Sequence, residues 1–209
     1  MKGKNNLNIY TFTLSEFYTN NYCVVKDNKV LLIDCTESQP IIDFIQKEKL
    51  EIVALILTHA HADHICGVNN FCQKFNVTPF LNPLDQPQIE ISKQVYQAYG
   101  FKEKPDFQYN PLKEGKLYLE TFEIEVIFTP GHTEGSVSFK MDNLLFSGDT
   151  IFKNSIGRTD LPGGDFYTLI KSIKEKILIL PEDTLILPGH GDYTTIKDEK
   201  KFNPFLINT

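Results

Sequence analysis

The sequence predicts a layered α/β fold, and three observations carry that prediction. Stretches with strand character and stretches with helical periodicity interleave along all 209 residues, and no linker, low-complexity segment or charge block divides them. Two apolar strands end alike: residues 126–128 run into Thr129-Pro130-Gly131-His132, and residues 185–187 run into Pro188-Gly189-His190. Histidines therefore fall at strand ends, as expected of a site along one rim of stacked sheets.

Each element follows from its local pattern. Residues 9–14, 22–26 and 30–34 are extended, β-branched and aromatic runs that read as strands, with Asp27-Asn28 as the hairpin turn between the last two. Residues 40–49 read as a helix after Ser38, because Ile41, Phe44 and Ile45 share one face. Residues 51–57 form a continuous apolar strand that leads directly into the first histidine cluster. A helix over 65–75, a strand over 77–81 and a helix over 86–99 follow, and residues 101–115 read as loop. The second half opens with strands at 116–119, 122–128, 136–140 and 144–146. Residues 165–180 give the clearest amphipathic helix, with Phe166, Leu169, Ile170, Ile173 and Ile177 at i, i+3, i+4 spacing. A last strand, 184–187, ends in the second proline–glycine turn. Residues 1–209 read as one domain.

Bulk composition narrows the function. A net charge of −6 and a pI near 5.4 argue against a nucleic-acid surface and for small-molecule substrates. The start, Met1-Lys2-Gly3-Lys4-Asn5-Asn6, has no apolar signal core, and runs such as 52–57 are far too short to span a bilayer. Cys23, Cys35, Cys66 and Cys72 show no Cys-x-x-Cys spacing and read as small buried thiols in a reducing compartment. Cytoplasm is the expected location, and the sequence is silent on oligomeric state.

The chemistry lies in the histidines. All five of them fall inside three motifs: Thr58-His59-Ala60-His61-Ala62-Asp63-His64, Pro130-Gly131-His132 and Pro188-Gly189-His190. With Asp149 in Ser147-Gly148-Asp149-Thr150 they and Asp63 make seven candidate ligands, more than one tetrahedral ion needs. A pair of divalent metals is implied. Imidazole and carboxylate suit zinc, with iron and manganese also admissible, whereas a soft thiolate site would need cysteines. His59 and His61, two apart on an extended segment, point to the same side. Asp63 and His64 follow where a helix begins, so the change of direction turns them toward a second position. Gly131, Gly148 and Gly189 each precede a ligand and let the chain turn sharply at a strand end. The chain reads as a two-metal hydrolase.

Together, Thr58–His64, Thr129-Pro130-Gly131-His132-Thr133, Gly148-Asp149-Thr150 and Pro188-Gly189-His190 resemble the metallo-β-lactamase superfamily, most closely its glyoxalase II-like thioesterase branch. The resemblance runs from about Asp34 to the C-terminus. It implies a four-layer αββα sandwich of two mixed sheets with helices outside. It also implies that His59, His61 and His132 hold one metal, that Asp63, His64 and His190 hold the other, and that Asp149 bridges them. Asp34 matches the family's buried aspartate that supports the site from behind. The family more often continues that strand with Pro-Gly, where this chain has Cys35-Thr36.

Within the superfamily, Asp149 stands where zinc β-lactamases of the commonest subclass carry cysteine, and His64 completes a motif they leave unfinished. Antibiotic hydrolysis is therefore not expected. Residues 157–165 (Gly-Arg-Thr-Asp-Leu-Pro-Gly-Gly-Asp) and the tail through Asn203-Pro204-Phe205-Leu206 look like the short bacterial glyoxalase II-like proteins. Only 19 residues follow His190, too few for the C-terminal helical region that helps longer relatives bind glutathione. Arg158, the sole arginine among 21 basic residues, is a candidate substrate contact whose competing role is an ion pair with Asp160 or Asp165. Tyr193 is a candidate for the mouth of the site, with ordinary packing as its competitor.

The expected reaction is attack by a metal-bridging hydroxide, made available near neutral pH by two metals about 3.5–4 Å apart, on an S-acyl thioester such as S-lactoylglutathione or a related thiol conjugate. A thiolate, with a conjugate-acid pKa of about 8.5, leaves without much help, and no spare histidine remains as general acid. Asp63 is available both as ligand and as proton shuttle. The alternatives are a mono-iron persulfide dioxygenase, with His59, His132 and Asp149 holding the iron, or a lactonase.

Overall fold

The computed structural model describes residues 7–207. The absence of a signal core, read from residues 1–6, lies outside them. No helix among the described residues is long and apolar enough to cross a membrane.

Among the described residues, fourteen strands and seven α-helices follow in the order β1 (Asn8–Leu14), β2 (Thr19–Lys26), β3 (Lys29–Ile33), α1 (Ser38–Lys47), β4 (Glu51–Ile56), α2 (Ala62–Ile65), α3 (Val68–Phe75), β5 (Phe80–Leu81) and α4 (Gln86–Val95). Then come β6 (Asn110–Pro111), β7 (Gly115–Leu119), β8 (Phe122–Phe128), β9 (Val137–Met141), β10 (Leu144–Gly148), β11 (Ile151–Phe152), β12 (Ser155–Ile156) and α5 (Phe166–Ser172). The chain closes with β13 (Leu185–Pro188), β14 (Thr194–Thr195), α6 (Ile196–Phe202) and α7 (Pro204–Ile207). One sheet has the order β1-β2-β3-β4-β5-β6, the other β14-β13-β10-β9-β8-β7, and β11-β12 is a separate ribbon. In the first, β3, β4, β5 and β6 run parallel beside the antiparallel β1 and β2. In the second, β10 and β13 run parallel beside antiparallel neighbours.

Period-two alternation builds the layers. On β2 to β4, Tyr22, Val24, Leu31, Ile33 and Ile56 face inward to meet Val126, Phe139, Phe146 and Leu187 of the opposite sheet. Their neighbours Cys23, Val25, Leu32 and Leu55 face outward, against Ile41 and Ile45 of α1 and Phe71 of α3. On the far side, Leu145 and Ile186 pack under Leu169, Ile173, Ile177 and Ile196. Strands buried on both faces read as continuous apolar runs for this reason. The result is the four-layer αββα sandwich.

Local chemistry accounts for the boundaries. Asp27 and Asn28 both have positive φ, 50° and 64°, and join the paired Lys26 and Lys29 in a two-residue turn of the hairpin-favoured hand. The helix expected over 65–75 divides into α2 and α3 at Cys66-Gly67. A side chain at Gly67 would collide with the backbone of Glu37 and Ser38, so the chain gives up one turn to pass close to α1. The strand expected over 77–81 shortens to β5, and the loop expected over 101–115 contributes β6 to the sheet edge through Phe80 and Leu81. The helix expected over 86–99 ends at Val95. The amphipathic helix after Asp165 is α5 continued by a π-helical turn, Ile173–Ile177; Leu169, Ile170, Ile173 and Ile177 of its stripe pack on the sheet, whereas Phe166, at the first turn, is exposed.

Candidate metal centre

Strands β8, β10 and β13 point the same way, so the segments after them meet at one rim, where the loop after β4 also arrives. His132 follows β8, Asp149 follows β10, His190 follows β13, and the motif from His59 to His64 follows β4. His61 is extended (φ −69°, ψ 148°) and caps α2, which carries Asp63 and His64. Extended spacing and then a helical turn therefore aim four side chains from six residues into one space.

Seven polar side chains converge there in overlapping groups, with His59, His61 and His132 in one and Asp63, His64 and His190 in another. In the first group His61 Nδ1 is 2.9 Å from His132 Nε2, which is 3.2 Å from His59 Nε2. In the second, His190 Nε2 is 3.2 Å from Asp63 Oδ2 and 3.4 Å from His64 Nε2. Asp149 spans both: its Oδ2 is 3.5 Å from His132 Nε2 and 3.4 Å from His190 Nε2, and its Oδ1 is 3.3 Å from His64 Nε2.

Hydrogen bonds fix which nitrogen faces the cluster in four of the five rings. His132 Nδ1 donates to the Arg158 carbonyl at 2.8 Å and His190 Nδ1 to the Phe17 carbonyl at 3.0 Å. His64 Nδ1 donates to Asp34 Oδ2 at 2.8 Å. Thr58 Oγ1 donates to Asp34 Oδ2 at 2.7 Å and so accepts from His59 Nδ1 at 3.1 Å. His59 and His132 consequently direct bare lone pairs at each other. Burial, with His64 and His132 adjacent, holds His59 well below the usual imidazole pKa, and burial with His132 holds His61 at about 3. Two bare lone pairs 3.2 Å apart repel unless a cation lies between them. A tetrahedral zinc with Zn–N of about 2.0–2.1 Å needs ligand atoms about 3.3 Å apart, close to the 3.2 Å between His132 and His59 and somewhat more than the 2.9 Å between His61 and His132.

The second group shows the same demand by another route. Burial opposes charging His64, yet Asp149, Asp63 and Asp34 push it well above the usual value. Burial likewise opposes charging His190, and Asp149 and Asp63 raise it to about 10. Burial also works against ionising Asp63, which His64 and His190 nonetheless hold at about 2. Carboxylates that draw protons this strongly onto buried imidazoles will accept a divalent ion in their place. The donor set fits a metal pair.

Asp34 lies behind the cluster, buried, with φ 58°. Besides His64 and the Thr58 hydroxyl it accepts from Thr58 N at 2.8 Å. Cys35-Thr36 makes a sound turn in place of Pro-Gly: Cys35 N donates to the His64 carbonyl at 2.8 Å and Thr36 Oγ1 to the Asp63 carbonyl at 2.5 Å. The glycine before a ligand acts differently at different strand ends. Gly131 has φ +133° and passes against the Leu169 backbone, whereas at Gly189 a Cβ would collide with the Asp149 carboxylate, so close approach is what excludes a side chain.

The substrate-contact candidates fare differently. Arg158 lines the cavity over the cluster, but its Nε and Nη2 both donate to Asp160 at 2.7 Å, so the fork is already filled. Tyr193 does not line that cavity. It packs against the inter-sheet core with its hydroxyl on Thr11, because β14 carries it back beneath β13. All four cysteines are free; Cys23, Cys35 and Cys66 are buried and Cys72 is half-buried.

One residue escaped the sequence reading. Asp85 is fully buried; its Oδ2 accepts from Ala60 N at 2.8 Å and Thr133 Oγ1 at 3.0 Å, and its Oδ1 from Gly135 N at 2.8 Å. It thereby ties the His59–His61 segment to the turn after His132. Placed just before a helix with Pro87 in its first turn, it reads in sequence as an ordinary N-cap, yet it makes no capping bond to α4.

Comparison with known proteins agrees with this geometry. Residues 14–190 match the family model described as the Metallo-beta-lactamase superfamily. The chain is 37% identical over 210 aligned residues to hydroxyacylglutathione hydrolase GloC of Haemophilus influenzae, covering 96% of this chain and 98% of that one. It is 36% identical to the crystal structure of BLEG-1, described as a B3 metallo-beta-lactamase, with a TM-score of 0.86 over 95% of this chain and 99% of the other. It is also 36% identical to TTHA1623, solved in a di-iron-bound form, with a TM-score of 0.87 over 94% of this chain and all of that one. From its fold, its rim of ligands and these matches, the chain belongs to the metallo-beta-lactamase superfamily.

Proposed function

We propose that this protein is a dinuclear metal-dependent hydrolase of S-acyl thioesters. One observation carries the reading: every histidine is committed to the cluster. The outward nitrogens of His59, His64, His132 and His190 are held by Thr58, Asp34, Arg158 and Phe17, and His61 is held neutral. No imidazole is left to protonate a leaving amine. A thiolate departs without that help, whereas an amide nitrogen does not.

Bound divalent ions supply Lewis acidity, which activates water and polarises the substrate carbonyl. The chain's own residues set the geometry for that chemistry. Asp149 fixes the separation of the two groups, and Asp34 and Thr58 lock the rings of His64 and His59. Asp63, whose Oδ2 accepts from Thr19 Oγ1 at 3.0 Å, lines the cavity, where it would take up the proton released by the attacking water and hand it to the departing sulfur. Zinc is the metal we assign, with iron or manganese able to occupy the same donors. The substrate is a small molecule, neither nucleic acid nor membrane, and the reduced thiols suit the cytoplasm.

The likeness to BLEG-1 favours one second reading, β-lactam hydrolysis. Elemental analysis joined to a substrate panel tests both. Two zinc per chain with thioesters turned over faster than oxygen esters, and β-lactams barely cleaved, is the expected result. Efficient β-lactam hydrolysis with weak thioesterase activity overturns the proposal in favour of the second reading. One iron per chain with oxygen uptake on a persulfide overturns it in favour of a dioxygenase.

A further inference from the structure

The cavity over the cluster has a volume of about 550 Å³, with His61, Asp63, Asp149 and His190 among its floor residues. Its walls are built largely from Phe17, Ile91, Val95, Tyr99, Phe152 and Leu161. Ile91 and Val95 are one helical turn apart on α4 and so share a face. Phe17 is held in place by a stacked contact with buried Phe101, ring centres 5.6 Å apart and planes 20° apart. It also makes an edge contact to Tyr99, ring centres 5.6 Å apart. Gln88 Nε2 donates to the Pro162 carbonyl, so α4 is fastened to the segment that carries Arg158. The wall begins at the cluster itself: the Phe17 carbonyl holds His190, and the Phe152 ring is 6.0 Å from the His190 ring.

Charge is what this wall lacks. Among the described residues lining the cavity there is no lysine and no glutamate, and Arg158 is the one cation besides the histidines. Its Nε and Nη2 are both engaged by Asp160 in a two-point pair. A glutathione conjugate brings two carboxylates, and recognising them calls for free guanidinium or ammonium groups. Phe17 and Tyr99 remain 41% and 49% exposed beside the cluster, and exposed apolar surface next to a reactive site marks where apolar ligand is received.

We infer that Phe17, Ile91, Val95 and Tyr99 form a subsite for an uncharged, apolar acyl arm, so that the preferred substrate is a thioester of an aliphatic or aryl acid whose thiol need not be glutathione. The inference rests on the thioester reading and names the substrate class for it. Burying a methylene gives roughly a fourfold gain. Lengthening an acyl chain along the wall should therefore raise kcat/KM steeply, while adding carboxylates to the thiol should not.

The test is a small matrix of thioesters on the zinc-loaded protein. S-hexanoyl-N-acetylcysteamine should exceed S-lactoyl-N-acetylcysteamine by at least about tenfold in kcat/KM, as burial of two or more methylenes requires. Replacing N-acetylcysteamine by glutathione at constant acyl group should give no gain. Val95→Asp and Phe17→Ser, each checked by thermal melt and zinc content, should raise KM for the hexanoyl substrate far more than for the acetyl one. A tenfold or greater preference for glutathione overturns the subsite, as does a gain that follows a hexyl group on sulfur instead of on the carbonyl. Calorimetric binding of the uncleavable ketone analogue, with a methylene between sulfur and carbonyl, separates this inference from the reaction. If the hexanoyl-derived analogue binds tightly and no thioester is cleaved, the subsite stands and the thioesterase reading fails. Equal binding of long and short analogues sinks the subsite whatever the turnover.

Discussion

Two buried carboxylates stand behind the histidines and act on different parts of the cluster. Asp34 orients the ring of His64 and the peptide of Thr58, whereas Asp85 reaches no ring. It holds the Ala60 peptide by its N–H, while Ser92 Oγ donates to the carbonyl of the same residue at 2.9 Å. Ala60 separates the two histidines of the first group, so Asp85 sets the spacing of that pair and joins it to the turn after His132. Asp85→Ala would leave the Ala60 and Gly135 amides and the Thr133 hydroxyl without this acceptor. A loss of about 2–5 kcal/mol is expected, read as a lower denaturant midpoint, with metal affinity at the first group weakened by about 10–100-fold. Unaltered metal affinity in a destabilised but folded variant would reduce Asp85 to a packing residue. Asp149→Ala removes the carboxylate common to both groups. Zinc content should then fall toward zero and turnover drop more than about 100-fold, whereas His64→Ala should cost chiefly one metal. Retention of two equivalents of zinc by Asp149→Ala would refute its bridging role. The ligands were legible in sequence because a chain with five histidines gathers all of them into three motifs. Asp85 was not, because its partners lie 25 to 50 positions away while its neighbours supply a complete local reading as a helix start.

Elements were legible where local pattern and tertiary demand agreed. The apolar runs of β2 to β4 survive, since each is paired with apolar layers on both faces, and so does the stripe on α5 from Leu169 onward. Two-residue strands such as β5 and β6 have no period of their own and exist only through their pairing across the sheet edge. The division between α2 and α3 likewise has its cause at a distance, in the passage of Gly67 beside Ser38. Helix α5 reaches the site through Gly131. Asp165 caps α5 by accepting from Thr168 N at 2.7 Å, its own N–H donates to the Gly131 carbonyl at 2.8 Å, and Ser172 Oγ donates to the Pro130 carbonyl at 2.7 Å. The helix thus grips the turn just before His132. Gly131→Ala would force a positive φ on a residue with a Cβ and drive that Cβ into the Leu169 backbone. About 1–3 kcal/mol of strain is expected, with α5 displaced and His132 moved. The measurement is metal stoichiometry alongside a thermal melt: zinc content should fall with stability. An alanine variant that melts and loads like the parent would show that the turn tolerates a side chain.

At the scale of the whole molecule, the candidate metal ligands come from both sheets. His59, His61, Asp63 and His64 follow β4 of the first, and His132, Asp149 and His190 follow strands of the second. The same rim carries the polar stitches between the sheets: Asn20 N to the Gly189 carbonyl at 2.7 Å, Val137 N to the Thr58 carbonyl at 2.8 Å, and Tyr22 Oη to the Pro188 carbonyl at 2.6 Å. Away from the rim, the sheets meet mainly through apolar contact, with Lys26 and Lys29 bonding the β7–β8 turn at the opposite end and Thr11 bonding Tyr193. Each metal group draws on both sheets, since His59 and His61 are joined by His132, and Asp63 and His64 by His190. Ions bound there would therefore clamp the sandwich at an edge where repulsion between lone pairs and between Asp63 and Asp149 works to open it. An ion that binds only the folded state at about 1,000 times its dissociation constant adds about 4 kcal/mol, which in a chain of this size raises Tm by roughly 8–16 °C. Chelation should lower Tm by that order. It should also increase amide exchange first at Thr19–Asn21, Thr58–Ala60 and Gly189–Gly191, while the centres of β3 and β10 stay protected. Exchange that rises uniformly on chelation, or a Tm that does not move, would show that the sheets hold together without the ions.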